Sequence, residues 1–230
     1  MSVLLIIPAR VGSQRVKKKN IRLVKNKPLV YWTIIFAKKL KNYIPNLKII
    51  ISTDCKKTIK ITKKLEESYL ERPKKIAGSK ASMHSVISQV LKKIKESNKL
   101  KFIILLQPTS PIRKISWVLK GLEILKKNKI YQNLIHLNVT NKYVGKLKKN
   151  EWIPEFSSNK RSQDIKNQYE PSGCLFLYKR KDFENLKKFN TRKSYGYVTN
   201  DMKTVNIDYE EDFVMLDYYI KKIYSKVFYN

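Results

Sequence analysis

The residues best equipped for chemistry open the chain: Val3-Leu-Leu-Ile-Ile-Pro8-Ala9-Arg10-Val-Gly12-Ser13-Gln14-Arg15-Val-Lys17-Lys18-Lys19-Asn20-Ile21-Arg22. A continuous apolar run, Val3 to Ile7, reads as a strand buried on both faces. At Pro8 it passes into a loop with a small core, Gly12-Ser13, surrounded by cations. Phosphate oxygens bind in such places, where backbone N–H groups of a tight loop converge and fixed positive side chains neutralise the anion. The loop has neither G-x-G-x-x-G nor G-x-x-x-x-G-K-[ST]. It therefore reads as a nucleoside triphosphate site of another type, at the carboxyl end of the first strand of an α/β sheet.

Alternating elements must position that loop. Strands are expected at Val3–Ile7, Leu47–Ser52, Phe102–Leu106, Leu134–Val139 and Cys174–Tyr178. Helices are expected at Leu29–Leu40, Lys56–Glu67 with Asp54 as N-cap, Ala81–Ile94, Ile115–Lys127 and Tyr209–Lys222. The rhythm predicts an α/β fold, a mostly parallel sheet flanked by helices on both faces. Such sheets bind ligands outside the carboxyl ends of their strands. Three polar motifs fall there: Pro8–Arg22, Ser52-Thr53-Asp54, and Gln107-Pro108-Thr109-Ser110-Pro111. Residues 141–168 break the rhythm and read as an irregular or hairpin excursion from a single domain spanning 1–230, with Trp152 and Phe156 as apolar anchors.

Composition narrows the function classes. The formal net charge is +32, almost all of the excess being lysine. The lysines run along the whole chain as pairs on presumptive helix faces, and Asn, Ile and Tyr are abundant too. This is a compositional bias and a solvated surface, so no nucleic-acid partner is expected; a nucleic-acid groove would concentrate cations on one face with aromatic residues between them. No apolar run reaches the ~18 residues of a membrane span, and the N-terminus lacks the features of a signal peptide. No membrane partner is expected. Cys55 and Cys174 show no metal-ligand spacing and read as free thiols in a reducing cytoplasm. His84 is expected on a helix surface and His136 in strand packing.

Several motifs in order give the chain a resemblance. They are Ile7-Pro8-Ala9-Arg10-x-Gly12-Ser13-x-Arg15-x-x-x-Lys19-Asn20-Ile21-Arg22, Lys27-Pro28-Leu29-x-x-Trp32-Thr33-Ile34, Ser52-Thr53-Asp54, Arg72-Pro73, Ala81-Ser82, Leu106-Gln107-Pro108-Thr109-Ser110-Pro111-x-Arg113, Arg161-x-Gln163-Asp164, Gly173, and Ile207-Asp208 with Asp212-Phe213. The chain resembles the acylneuraminate cytidylyltransferases, the CMP-sialic acid or CMP-nonulosonate synthetases. The resemblance implies a nucleotide-diphospho-sugar transferase-like, Rossmann-type three-layer fold with a dimerisation lobe near 141–168. It implies a cytoplasmic homodimer that transfers CMP from CTP to the anomeric hydroxyl of a nonulosonic acid and releases pyrophosphate, supplying cell-surface polysaccharide. Mg²⁺ or Mn²⁺ is the implied cofactor.

The same resemblance assigns roles. Arg10, Arg15, Lys19 and Asn20 take the triphosphate, with Arg15, Lys19 and Asp208 as the catalytic set. Ala9, Gly12, Ser13, Arg72, Ala81 and Ser82 complete the nucleotide site, Arg72 towards the cytosine carbonyl or, on the plainer reading, as a surface or helix-end arginine. Lys17 and Lys18 read as plain surface. Gln107 touches the sugar acid, while Pro108 and Pro111 also pin a turn and Thr109-Ser110 suits a helix start. Arg161 and Gln163 reach a neighbouring subunit's sugar, or belong to a surface loop. Asp208 holds the metal, with Asn206 as a second oxygen where the family has aspartate; Asp208 and Glu211 also spell a capping box. Gln14, Lys17, Ser79, Met83, Ser172 and Phe176 likewise depart from the family pattern. The acid therefore stays open among N-acetylneuraminate, legionaminate-like and pseudaminate-like sugars. The Asn206 and Gln14 changes also fit an inactive relative. A Kdo-type cytidylyltransferase fits less well, because Leu-Gln-Pro-Thr-Ser-Pro replaces an acidic strand end.

Overall fold

A computed structural model describes residues 2–78, 81–95, 97–140, 144–155, 168–185, 193–202 and 204–227, with only the backbone given for 222–227. Strand β1, Val3–Pro8, is buried along its whole length. A short 3-10 turn and the small strands β2 (Leu23–Val24) and β3 (Lys27–Pro28) lead into helix α1, Leu29–Leu40. Then follow β4 (Leu47–Thr53), α2 (Lys56–Lys64), β5 (Ser68–Glu71), α3 (Lys74–Ala77), α4 (Met83–Lys93), β6 (Phe102–Leu105) and α5 (Ile115–Lys127). The remaining elements are β7 (Asn133–Thr140), β8 (Gly145–Lys148), β9 (Glu151–Pro154), β10 (Gln168–Lys179), α6 (Arg180–Phe183), β11 (Ser194–Val198) and α7 (Glu211–Val227).

Seven strands form one sheet in the order β11-β7-β10-β6-β1-β4-β5. β1 runs parallel to β4 and β6, and β5 parallel to β4. β10 alone runs against its neighbours β6 and β7. The expected mostly parallel α/β sheet is present. Both faces of β1 are covered: Val3, Leu5 and Ile7 pack with α1 and α5, while Leu4 and Ile6 pack with α4 and Phe183. Burial on two sides explains why the strand is apolar without alternation. Helices α1, α2, α4 and α5 each end on a lysine pair and have no acid in the first turn. Their C-termini lie at the sheet end opposite the phosphate loop, where cations complement the helix dipoles.

Several local expectations are corrected. Asp54 does not cap α2; the N-cap is Cys55 and no side chain bonds there. Thr109-Ser110 starts no helix, because α5 begins at Ile115 after Lys114. β10 begins at Gln168 rather than Cys174, its pattern interrupted by a register shift between Pro171 and Phe176. His84 is half-buried rather than on the surface, stacked on Phe183 at 4.7 Å. Phe176 is core, paired with Leu105 and Ile135, and so faces no sugar site. The excursion contains a hairpin, β8 against β9, turned at Lys149 and Asn150, both with positive φ, the backbone a two-residue hairpin turn requires. Phe156, Arg161 and Gln163 lie outside the described residues.

His136 does pack in a strand. Its ring stacks on Trp117 at 4.7 Å, with Nδ1 2.8 Å from Ser172 Oγ and Nε2 2.9 Å from Thr199 Oγ1. Burial pushes its pKa down from 6.5 to about 4, against the pull of Asp201. The unfolded chain therefore takes up a proton that the folded chain refuses between those values. Stability is expected to fall as pH drops from about 6.5 to about 4, by on the order of 3 kcal/mol. Urea unfolding across that range measures the slope, and His136→Gln is expected to flatten it. Cys55 and Cys174 are both buried and free. Among the described residues, no helix is long and apolar enough to cross a membrane.

Candidate active site

Where β1 ends, the chain turns across the top of the sheet. Ala9 N–H donates to Ser52 O at 2.9 Å, and Thr53 Oγ1 donates to Ala9 O. Val11 N–H donates to Asp54 Oδ1 at 2.7 Å. Asp54 thus ties the phosphate loop to the end of β4, a role sequence reasoning missed because a polar residue before a helix also reads as a cap. Asn20 Nδ2 donates to Arg10 O at 2.8 Å and closes the loop on itself. Gly12 keeps a backbone that any residue adopts, and the space beside its Cα is open.

The far end of the chain comes back to this loop. Val205, Ile207, Phe213, Leu216 and Ile220 pack against Val16, Val24, Leu29 and Trp32, and Ile207 N–H donates to Thr109 O at 2.7 Å. This apolar seam places Asp208 opposite Lys19. The expected Asp208–Glu211 box is replaced: Asp212 Oδ2 accepts from Asp208 N–H and Tyr209 N–H, each at 2.7 Å.

The result is a cleft of about 260 Å³ lined by Arg10, Ser13, Arg15, Lys19, Asn20, Arg72, Gln107 and Asp208, with Pro8, Gln14, Met83, Pro108 and Thr109 between them. Of the expected site residues, Ala9 is buried in the core and lines no wall. Gly12, Ala81 and Ser82 also stay off it. Ser82 caps α4 by accepting from Ser85 N–H at 3.1 Å, and it is the next residue, Met83, that reaches the cleft.

Four cations face one carboxylate across this space. Asp208 Oδ1 lies 3.2 Å from Arg15 Nη1 and 3.4 Å from Lys19 Nζ. Lys19 is buried and also donates to Ile207 O. Burial lowers its pKa from 10.5, while Asp208 pulls it back up. Arg72 is buried as well, with Nη2 donating to Ser52 O at 3.0 Å, and burial lowers its pKa to about 10. It is no surface arginine. Asn20 Oδ1 is buried without a partner among the described residues.

Gln107 stands at the end of β6, on a turn held from beneath. Arg113, fully buried, donates through Nη2 to Gln107 O at 2.8 Å and to Ser110 O. Ser110 Oγ lies 2.9 Å from Ser172 O and 2.9 Å from Asn206 Oδ1. Gly173 has φ +75, and a Cβ there would meet Ser110 Oγ at 2.5 Å and Gln107 Oε1 at 2.9 Å. Gly173→Ala is expected to cost roughly 1–2 kcal/mol from the left-handed backbone alone. It also pushes Gln107 off its position. A lowered melting temperature together with impaired ligand binding checks this.

Among the described residues, no group of three His, Cys, Asp or Glu could hold a metal. A hard divalent cation is nonetheless commonly held by one carboxylate plus substrate phosphates, and Asp208 beside a cationic cleft fits that donor set. Asn206 presents no oxygen to it: its Nδ2 faces Asp208 Oδ2 at 2.9 Å.

A profile of the family described as cytidylyltransferase matches residues 4–230. An N-acylneuraminate cytidylyltransferase of Escherichia coli is 26% identical over 216 residues, covering 92% of this chain and 50% of that protein. A CMP-N,N'-diacetyllegionaminic acid synthase of Legionella pneumophila is 34% identical over 128 residues, covering 55% of this chain and 54% of that protein. The chain thus spans about half the length of the Escherichia coli protein, whereas the match to the Legionella protein takes in about half of each chain. A solved structure of CMP:2-keto-3-deoxy-manno-octonic acid synthetase complexed with CTP superposes with a TM-score of 0.69 at 12% identity, over 96% of this chain and 99% of that one. At that identity the likeness is one of fold.

Proposed function

The chain belongs to the cytidylyltransferase family, and from that premise we propose that its cleft joins CMP from CTP to a nonulosonic sugar acid and releases pyrophosphate. The observation that carries the reading is a strand-end cleft in which Arg10, Arg15, Lys19 and Arg72 face the single carboxylate of Asp208. In the reaction, the anomeric oxygen of the acid forms a bond to the α-phosphorus as the bond to the pyrophosphate oxygen breaks. Negative charge grows on the departing group. Catalysis of such a step is mainly positioning and neutralisation.

Arg10 and Arg15 supply planar donors to phosphate oxygens, and Lys19 supplies a buried charge held in place by Ile207 O and Asp208. The unpaired Oδ1 of Asn20 is an acceptor for a nucleotide hydroxyl. Arg72 and Met83 lie towards the base. Gln107, held by Arg113 and backed by Gly173, lies towards the sugar acid. Asp208 would hold Mg²⁺ or Mn²⁺ together with the triphosphate, and the ion would supply further neutralisation of phosphate charge.

The sugar acids named in the two relatives, an acylneuraminate and a diacetyllegionaminate, support a nonulosonic acid as the substrate class. Two buried free thiols suit a cytoplasmic enzyme. Pyrophosphate release with CTP, Mg²⁺ and a panel of nonulosonic acids tests the proposal, with ATP, GTP and UTP as controls. Release with CTP and at least one acid is expected. No release with any acid contradicts it.

The assembly we propose is a homodimer through the β8–β9 hairpin. Leu147 and Trp152 are 73% and 56% exposed there, and Ile153 and Val144 are exposed beside them. Leu147 and Trp152 pair across the two strands and share one face of the hairpin, an exposed apolar surface that suits an interface. Sedimentation is expected to find a dimer for the wild type and a monomer for Leu147→Asp/Trp152→Asp.

A further inference from the structure

Asn206 stands two residues before Asp208, and its amide is engaged at both ends. Nδ2 donates to Asp208 Oδ2 at 2.9 Å; Oδ1 accepts from Ser110 Oγ at 2.9 Å. Chemistry fixes this polarity. An ionised carboxylate only accepts, so the amide must turn its NH₂ towards Asp208. The other carboxylate oxygen faces Arg15 and Lys19. Asp208 is therefore satisfied on both oxygens by this chain alone. An aspartate at position 206 would instead face Asp208 as a like charge, which favours a cation between the two.

The Ser110 hydroxyl has two acceptors within reach, Ser172 O and Asn206 Oδ1, each at 2.9 Å, and only one proton to give. Given to Asn206, that proton holds the amide as observed. Given to Ser172 O, it leaves Ser110 Oγ free to accept. An amide rotated by half a turn then donates Nδ2 to Ser110 and turns Oδ1 towards Asp208. One charged and one neutral oxygen then face the same space, a donor pair suited to a hard divalent cation.

We propose that Asn206 is a toggle that sets the affinity of the site for the divalent ion. Amide nitrogen first, it caps Asp208 in the metal-free site; when the ion enters with the triphosphate, the amide rotates and Ser110 redirects its proton to Ser172 O. The inference rests on the cleft being the CTP site and Asp208 being the ion's ligand. It makes ion binding weaker than with a second carboxylate, because the ion competes with an internal donor, and it keeps the cleft ordered without metal.

The test uses the full chain with CTP and no acceptor acid. Mn²⁺ binding is followed by paramagnetic resonance in wild type, N206D and D208N. N206D is expected to bind Mn²⁺ about tenfold more tightly or better, a second carboxylate replacing a neutral ligand, and to melt at lower temperature than wild type in chelator. In ¹⁵N spectra, the Asn206 NH₂ pair, identified by its absence in N206D, is expected to shift when Mg²⁺ joins the CTP complex. Equal Mn²⁺ affinity in wild type and N206D, with D208N still weakened, overturns the toggle alone. So does an Asn206 signal unmoved by saturating Mg²⁺ and CTP. Full Mn²⁺ affinity in D208N overturns it through its premise, the role of Asp208.

Discussion

Asp208→Asn is expected to lower turnover with CTP and Mg²⁺ by about a thousandfold, the scale on which loss of a preorganised charge partner at a reacting phosphoryl group acts. The change is isosteric, so the fold should survive it. What it removes is charge at the point where three groups converge. Arg15 Nη1 and Lys19 Nζ both lie against Oδ1, and Asn206 Nδ2 against Oδ2. An amide at 208 that keeps its oxygen towards the two cations turns its NH₂ towards Asn206, which must rotate to accept it. The variant therefore loses an anionic ligand for the divalent ion and the charge that holds two phosphate-neutralising side chains. Steady-state kinetics at saturating Mg²⁺ measure the loss. Wild-type turnover in Asp208→Asn would remove Asp208 from the mechanism.

Lys19→Met carries the second large effect, an expected loss of about a hundredfold or more in kcat/KM for CTP. Methionine matches the length of the stem and keeps its packing against the buried surroundings. It gives up the donor to Ile207 O and the charge beside Asp208. A pH profile separates the charge from the packing. The protonated amine is the competent form, so activity is present below its pKa and lost as pH rises through it. Because burial lowers that pKa from 10.5, the alkaline limb of kcat/KM is expected at lower pH than an exposed lysine would give. Lys19→Arg should move the limb upward, and Asp208→Asn, which removes the carboxylate that pulls the pKa back up, should move it lower still. A limb that stays put in both variants would assign it to another group.

The elements that support these effects were legible to different degrees, for physical reasons. β1 announced itself because burial on both faces leaves no polar position in Val3–Ile7. α1 and α5 were readable to the residue, Leu29–Leu40 and Ile115–Lys127, since each carries an apolar stripe bounded by clear breaks. The sequence pattern of the long β10 shows its second half only, because Pro171 and the left-handed Gly173 interrupt it. The burial of His84 is not legible, because its neighbour Phe183 is distant in sequence and only tertiary packing brings them together.

The site divides the same way. The motifs that carry the family resemblance pointed to Arg10, Arg15, Lys19, Asn20, Arg72, Gln107 and Asp208, all of which line one cleft. They failed where backbone geometry decides. Ala9 points into the core, and at the start of α4 it is Met83 rather than Ala81 or Ser82 that reaches the wall. The supports were also hidden. Asp54, Asp212 and Arg113 act through backbone groups up to dozens of residues away, and no local pattern signals such a bond. Asp212 stands in the Asp212-Phe213 motif, but its capping bonds are not legible there, because Glu211 offers the same first-turn acid one position earlier.

Calorimetric titration of CTP into the protein with Mg²⁺ present tests the central claim, that the cationic cleft is a cytidine nucleotide site, most directly. Saturable one-site heat with CTP is expected, weakened at least about tenfold by Arg10→Ala and much smaller with ATP or GTP. No heat from CTP, or equal heat from all three triphosphates that survives Arg10→Ala and Lys19→Met, would contradict it.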